Sequence, residues 1–177
     1  RILRIGLLQI GFKKVAKMNH ILILGVAGGS VVKTLINEAG YKNKITGVEI
    51  DANVIEIAKK YFELDLIPNF DIILDDAFEF VLKTKEKYDL IIIDVFQDTK
   101  MPNFLFEDFY INRLLEILEP NGMFLFNTMC LTSADNFRNM DYLKLFDTEK
   151  VNVKTIPRIE AHNELIIVEK LGNHTTP

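Results

Sequence analysis

Acidic side chains gather at the ends of the apolar runs in this chain, and that placement is the first sign of chemistry. Glu49 lies near the end of residues 44–50 (KITGVEI), with Asp51 just beyond. Asp75 and Asp76 follow Phe70–Leu74 (FDIIL), and Asp94 falls within residues 88–96 (YDLIIIDVF), with Asp98 behind it. These six carboxylates are more than helix capping requires. Asp51 and Asp76 stand where helix N-caps belong. Glu49 and Asp94 lack that explanation: each ends an apolar strand, where a charge needs a partner and so marks a candidate functional group. Glu49 lies 24 residues after Gly25, and an acid so placed can accept hydrogen bonds from both hydroxyls of a ribose. Asp76, at the next strand end, could accept from the exocyclic amine of a base. The small residues of Gly25-Val-Ala-Gly-Gly-Ser30 let the backbone approach a ligand, and free N–H groups at a helix start hold an anion or polar group. Alone, that turn is an imperfect dinucleotide fingerprint. Together these groups sketch a nucleoside whose third part lies near the turn.

Strands must hold these groups in place. Residues 21–24 with Val26 read as a parallel strand buried on both faces, leading into a helix over 31–39 that Gly40 ends. The strand over 44–50 is followed by a helix that Asp51 caps, with Val54, Ile55, Ala58, Tyr61 and Phe62 on one face. Pro68-Asn69 breaks the chain before the strand Phe70–Leu74, and Asp76-Ala-Phe-Glu79 resembles a capping box opening a short helix. Residues 88–96 are the most apolar strand and so belong at the centre. A loop through Lys100, Pro102 and Asn103 leads to a helix over 106–118, stopped by Pro120-Asn121-Gly122. A strand over 123–129, a helix over 133–146 and strands over 151–156 and 164–171 complete the chain. This alternation predicts an α/β fold: a doubly wound, Rossmann-like, seven-stranded sheet, mostly parallel. The last connection, 157–163, is too short for a crossover helix, so the last strand should run antiparallel.

Residues 1–19 carry five basic side chains and no acid. Ile2, Ile5, Leu8, Phe12 and Val15 recur at helical spacing, which predicts one amphipathic helix covering an edge of the sheet with its charges in solvent. A basic surface for a membrane or an acidic partner is the alternative. The organisation is then a helix over 1–19, a nucleoside-binding domain over 20–171 and a loose tail over 172–177. The 177 residues, 49% apolar and 26% charged, suit one globular domain. A net charge of -4 gives no reason to expect nucleic acid as a partner. The single cysteine, Cys130, excludes an internal disulfide and points to a reducing cytoplasm. No run is long enough to span a bilayer. His20, His162 and His174 match no metal spacing, so no metal is expected. The chain begins at Arg1 rather than Met, as a fragment or processed form would.

A nicotinamide dehydrogenase would normally add a second nucleotide-binding half or a catalytic domain, for which this length leaves no room. An antiparallel seventh strand instead matches the class I methyltransferase architecture, whose nucleoside is S-adenosylmethionine, a sulfonium attracted to a carboxylate-rich edge. The segments ILILGVAGGS, ITGVEIDANVIEIAKKYF, DDAFEF, YDLIIIDVF, LFEDFY and LEPNG resemble, in order and spacing, those of the spermidine synthases. That resemblance implies that Glu49 binds the ribose, Asp76 the adenine amine and the backbone around Ala77 the adenine ring, with Asp94 in the catalytic position. The implied cofactor-binding set is Gly25, Ala27, Gly28, Gly29, Glu49, Ile50, Asp76, Ala77 and Asp94. Gln97, Asp98, Tyr110 and Asn127 could shape an acceptor pocket, although Tyr110 reads equally as a helix packing residue and Asn127 as a strand-end hydrogen-bonder.

The chain departs from the family where the substrate is gripped. The family's first turn, GGGDGG, carries an Asp for the aminopropyl amine of decarboxylated S-adenosylmethionine, and here that position is Gly28. Its Asp-Ser-Ser-Asp becomes Asp94-Val-Phe-Gln97, with Asp98 one residue out of place. A family tyrosine between strands six and seven is missing, as is the N-terminal β-hairpin domain. Bare backbone N–H groups suit the carboxylate of an intact methionine tail better than a free ammonium. The charge argument therefore favours S-adenosylmethionine and methyl transfer to a small-molecule acceptor. Polyamine aminopropyl transfer from the decarboxylated form remains an alternative. So does a module that binds nucleoside without turnover. A homodimer is an assembly open to any of these.

Overall fold

The computed structural model describes residues 1–96 and 100–172. Seven strands form one sheet in the order β3-β2-β1-β4-β5-β7-β6, with β1 (His20–Leu24), β2 (Lys44–Glu49), β3 (Phe70–Leu74), β4 (Tyr88–Ile93), β5 (Leu118–Met129), β6 (Val151–Ile159) and β7 (Asn163–Lys170). β7 runs antiparallel to both β5 and β6, and the other pairings are parallel. This is the class I methyltransferase arrangement expected from the alternating pattern and the short last connection. β1 is buried along its whole length and β4 along most of its own, because helices cover both faces.

On one face lie α1 (Ile2–Ile10), α2 (Phe12–Val15), α3 (Ser30–Asn37) and α4 (Ala52–Phe62). They share a core with Ile21, Ile23, Leu90, Ile92 and Leu125 of the sheet. α5 (Ala77–Lys83), α6 (Asp108–Ile117) and α7 (Ser133–Leu143) cover the other face, over Leu22, Leu24, Ile91, Ile93, Phe124 and Phe126. The alternation of side chains along each strand divides them between the two cores. Burying one such Leu, Ile or Phe contributes about 1.5–3 kcal/mol.

Several boundaries differ from the sequence expectation, each for a local reason. The single N-terminal helix is two, broken at Gly11, whose φ of +101° is a conformation that side chains disfavour. It covers the sheet's face rather than its edge: α1 lies over β5 and β7 beside α3, and Gly6 sits so close to Leu125 that a Cβ would come within 2.6 Å of it. Arg1, Arg4 and Lys14 pair with Glu160, Glu38 and Glu169 of this same chain, at 2.9, 2.6 and 2.8 Å. Three of the five basic groups are thus satisfied internally. β4 ends at Ile93, so Asp94 opens the following loop. β5 begins at Leu118, directly after α6. Its pairing jumps from Tyr88↔Leu118 to Leu90↔Met123, and the extra residues form a bulge where Pro120 lacks an N–H and Asn121 takes φ +61°.

The capping expectations divide. Asp51 accepts from Asn53 N at 2.8 Å and Asp76 from Phe78 N at 2.7 Å, as N-caps do. Glu79 pairs with Lys83 at 2.9 Å instead of reaching back to complete a box. A reciprocal capping box occurs instead at α7, between Thr132 and Asp135.

Candidate active site

The carboxyl ends of β3, β2, β1 and β4 form one ledge. Asp75 N donates to Glu49 O at 3.1 Å, Gly25 N to Val48 O at 2.9 Å and Asp94 N to Leu24 O at 2.9 Å, so the strand ends stay in register as the chain leaves the sheet. The chain winds outward in one direction through β2 and β3 and in the other through β4 and β5. Between β1 and β4 lies the switch point, where α/β sheets bind ligands. Gly25 is required there: its φ is +87°, and a Cβ would lie 2.2 Å from the Asp94 carbonyl oxygen. Only a glycine permits the first turn to pass this close to the Asp94 backbone.

A cleft of about 280 Å³ opens above this ledge. Of the expected residues, Gly25, Ala27, Glu49, Ile50, Asp76, Ala77 and Asp94 line it. Val48, Val54, Asp75, Val95, Phe96, Pro102 and Phe104 complete the wall. Most of these were not singled out from sequence. Phe104 lies on a single 3-10 turn, Asn103–Phe106, too short to leave a periodic signal, whereas Val54 was visible only as a helix-face residue. Gly28 and Gly29 are outside the lining. A Cβ at Gly28 would meet the Phe62 ring at 3.6 Å, an ordinary contact, so nothing steric excludes a side chain there.

Glu49 is half-buried and holds the first turn. Its Oε2 accepts from Val26 N at 3.2 Å and Ala27 N at 3.1 Å, and its Oε1 accepts from Asp51 N at 3.1 Å. Ala27 has φ +45°, a left-handed conformation costing about 1–2 kcal/mol for a residue with a Cβ. The carboxylate offsets that cost. A carboxylate offers about four lone-pair sites, so ribose hydroxyls would have to share or displace one of the present donors. Asp76 uses Oδ1 on the α5 N-terminus, which leaves Oδ2 to accept an amine.

The Asp94 carboxyl is perturbed by its surroundings. Burial pushes it above the ordinary range, while a hydrogen bond from Asn127 acts the other way. Asn127 Nδ2 donates to Asp94 Oδ1 at 2.8 Å, and Asn163 Nδ2 donates to Asn127 Oδ1 at 3.0 Å. Both ends of the Asn127 amide are thereby engaged. Asn163, missed from sequence, reaches the site because β7 pairs with β5. Tyr110 is fully buried between Phe78 and Phe104. Its hydroxyl donates to Ala77 O at 3.2 Å, so Tyr110 supports the cleft wall from behind rather than lining an acceptor pocket. Gln97 and Asp98 lie outside the described residues. Among the described residues no group of three or more His, Cys, Asp or Glu is placed to hold a metal, and no helix is long and apolar enough to cross a membrane.

Known proteins share both sequence and architecture with this chain. A polyamine aminopropyltransferase of Buchnera aphidicola subsp. Acyrthosiphon pisum (strain Tuc7) is 36% identical over 119 residues, covering 61% of this chain and 39% of that protein. The eEF1A lysine and N-terminal methyltransferase homolog of Drosophila pseudoobscura pseudoobscura is 30% identical over 122 residues, covering 62% of this chain and 18% of that protein. The chain thus spans well under half the length of these two relatives. The crystal structure of human methyltransferase-like protein 13 in complex with SAH superposes with a TM-score of 0.75 at 21% identity, covering 98% of this chain and 81% of that one. The family model of the spermine/spermidine synthase domain matches residues 6–165, and the chain belongs to that family.

Proposed function

We propose that this chain binds S-adenosylmethionine and transfers its methyl group to a small-molecule acceptor in a reducing, cytoplasmic compartment. The observation that carries this reading is the pairing of a carboxylate-lined cleft at the switch point with a first turn that bears no acid: Glu49, Asp76 and Asp94 face the cleft, while position 28 is Gly. The donor set fits the cofactor. Glu49 would take the ribose hydroxyls, Asp76 Oδ2 and the backbone of Ala77 the adenine edge, and Val48, Val54 and Phe104 the flat faces of the base. The N–H groups of Gly25, Val26, Ala27 and Gly29 are already engaged, so the carboxylate of the methionine tail would meet Gly28 N and the start of α3. When bound, the cofactor supplies a methyl group activated by a sulfonium. The protein's share is positioning: the cleft holds a nucleophile in line, and Asp94 orients it and accepts its proton. Val95 and Phe96 exclude water beside that carboxylate.

Aminopropyl transfer is the second reading, favoured by the family match over residues 6–165. Calorimetry of this protein with S-adenosylmethionine and with its decarboxylated form separates the two. Tighter binding of the intact form is expected, since an acid to pair the free ammonium is absent from position 28. Tighter binding of the decarboxylated form overturns methyl transfer, and binding of neither leaves a module without this cofactor. Gly28→Asp, sterically tolerated beside Phe62, is expected to narrow the preference by about tenfold, or ~1.4 kcal/mol.

A further inference from the structure

The two asparagines behind Asp94 form a directed chain. Asn163 opens β7 opposite Met129 of β5, and its Nδ2 donates to Asn127 Oδ1 at 3.0 Å. Asn127, 5% exposed, then has only its Nδ2 to offer Asp94, and donates to Oδ1 at 2.8 Å. An amide has one accepting and one donating end, so the acceptor-only carboxylate of Asp94 turns the Asn127 NH₂ toward itself and Asn163, donating to the other end, holds the amide in that orientation. Were the Asn127 amide reversed, its carbonyl would face a carboxylate and its NH₂ would face that of Asn163. Both contacts are repulsive. With Asn163 in place, Oδ1 of Asp94 is committed to Asn127 and Oδ2 is the oxygen left toward the cleft.

We propose that Asn163, acting through Asn127, is a positioning residue that fixes which oxygen of Asp94 meets the nucleophile and keeps that carboxylate an acceptor. The inference rests on the reading of Asp94 as the group that orients the nucleophile. It extends the site to β5 and β7, on the far side of β4 from the residues that would hold the cofactor. Without a donor on Oδ1, a carboxylate that burial already disfavours in its charged form would hold its proton to higher pH. The charged groups facing Asp94 act in known directions. Glu49, Asp75 and Asp76 are the carboxylates that share the cleft with it, and like charges favour the proton. None of them is altered by a change at Asn163.

The test is a direct titration of the Asp94 side-chain carboxyl by carbon-13 NMR, assigned with Asp94→Asn, in the parent protein, Asn163→Ala and Asn127→Ala. The expected result is an upward displacement of the Asp94 midpoint in Asn163→Ala, and a larger one in Asn127→Ala. Asn163 is half-buried at a strand start, so its variant keeps the experiment decisive even if Asn127→Ala fails to fold. An Asp94 midpoint in folded Asn163→Ala equal to that of the parent overturns the proposal. Calorimetry with S-adenosylmethionine on the same proteins distinguishes the two levels of argument. Asn163→Ala should bind it as the parent does, whereas a parent that binds none refutes the cofactor reading and leaves the titration to judge the relay.

Discussion

Replacing Glu49 with Gln tests both functions that the structure gives this side chain. The carboxylate accepts three backbone N–H groups, from Val26 and Ala27 on one oxygen and Asp51 on the other. Glutamine keeps a single accepting oxygen. It can serve the turn or Asp51, and its NH₂ must then face an N–H donor on the other side. Hydrogen bonds to a charged group contribute about 1.5–3 kcal/mol and neutral ones about 0.5–1.5 kcal/mol. Losing one bond and weakening two, at a site open to solvent screening, comes to about 2 kcal/mol. For a domain of this size that lowers Tm by about 4–8 °C. The effect on binding is separate. An amide accepts from one ribose hydroxyl where a carboxylate accepts from two, a loss of about 1.5–3 kcal/mol or roughly 10–100-fold in Kd. Thermal melting with and without S-adenosylmethionine, together with calorimetry below the melting range, reads the two effects apart. A Tm equal to that of the parent would show that the carboxylate does not hold the turn. Parent-like affinity would remove Glu49 from the cofactor site.

Two further outcomes follow from buried polar groups. Asp94→Asn should abolish transfer yet raise Tm at pH 7. A carboxyl whose folded pKa is raised binds its proton more tightly when folded, so it contributes stability at low pH that is lost as pH rises through the folded value. The variant's advantage should therefore shrink as pH is lowered toward 4, and a pH-independent difference in Tm would contradict the burial argument. Tyr142 is fully buried, and among the described residues its hydroxyl has no hydrogen-bond partner. Tyr142→Phe keeps the edge contacts with Phe106, Phe126 and Phe146 and removes a desolvated hydroxyl, so it should gain about 1 kcal/mol, or about 2–4 °C in Tm. A lower Tm would mean that the hydroxyl is satisfied.

The strand ends were legible from sequence because burial on both faces leaves long apolar runs that stop abruptly at a carboxylate. That signal brought Glu49, Asp76 and Asp94 to one ledge before any contact was known. The N-terminal segment shows where such reading stops. Helical spacing marked an apolar face on residues 2–15 but not what covers it, and the face proved to lie on β5 and β7. The break at Gly11 was hidden because the spacing carries across it. Tyr110 illustrates a similar ambiguity, since a hydroxyl on a helix reads alike whether it points into a cleft or supports a wall from behind.

Local alternation of apolar and polar residues, turn glycines and caps thus determined the α/β winding, the antiparallel end and the edge of the sheet that carries the acids. Those properties depend on residues close together in the chain. Only the tertiary structure decided which groups each acid is bonded to. Glu49 is tied to the turn across the β1–β2 pair, and Asp94 is reached by Asn127 and Asn163 through the pairing of β4 with β5 and of β5 with β7. Hydrogen-bond partners across a sheet are set by register between distant segments, and no spacing along the chain records that register.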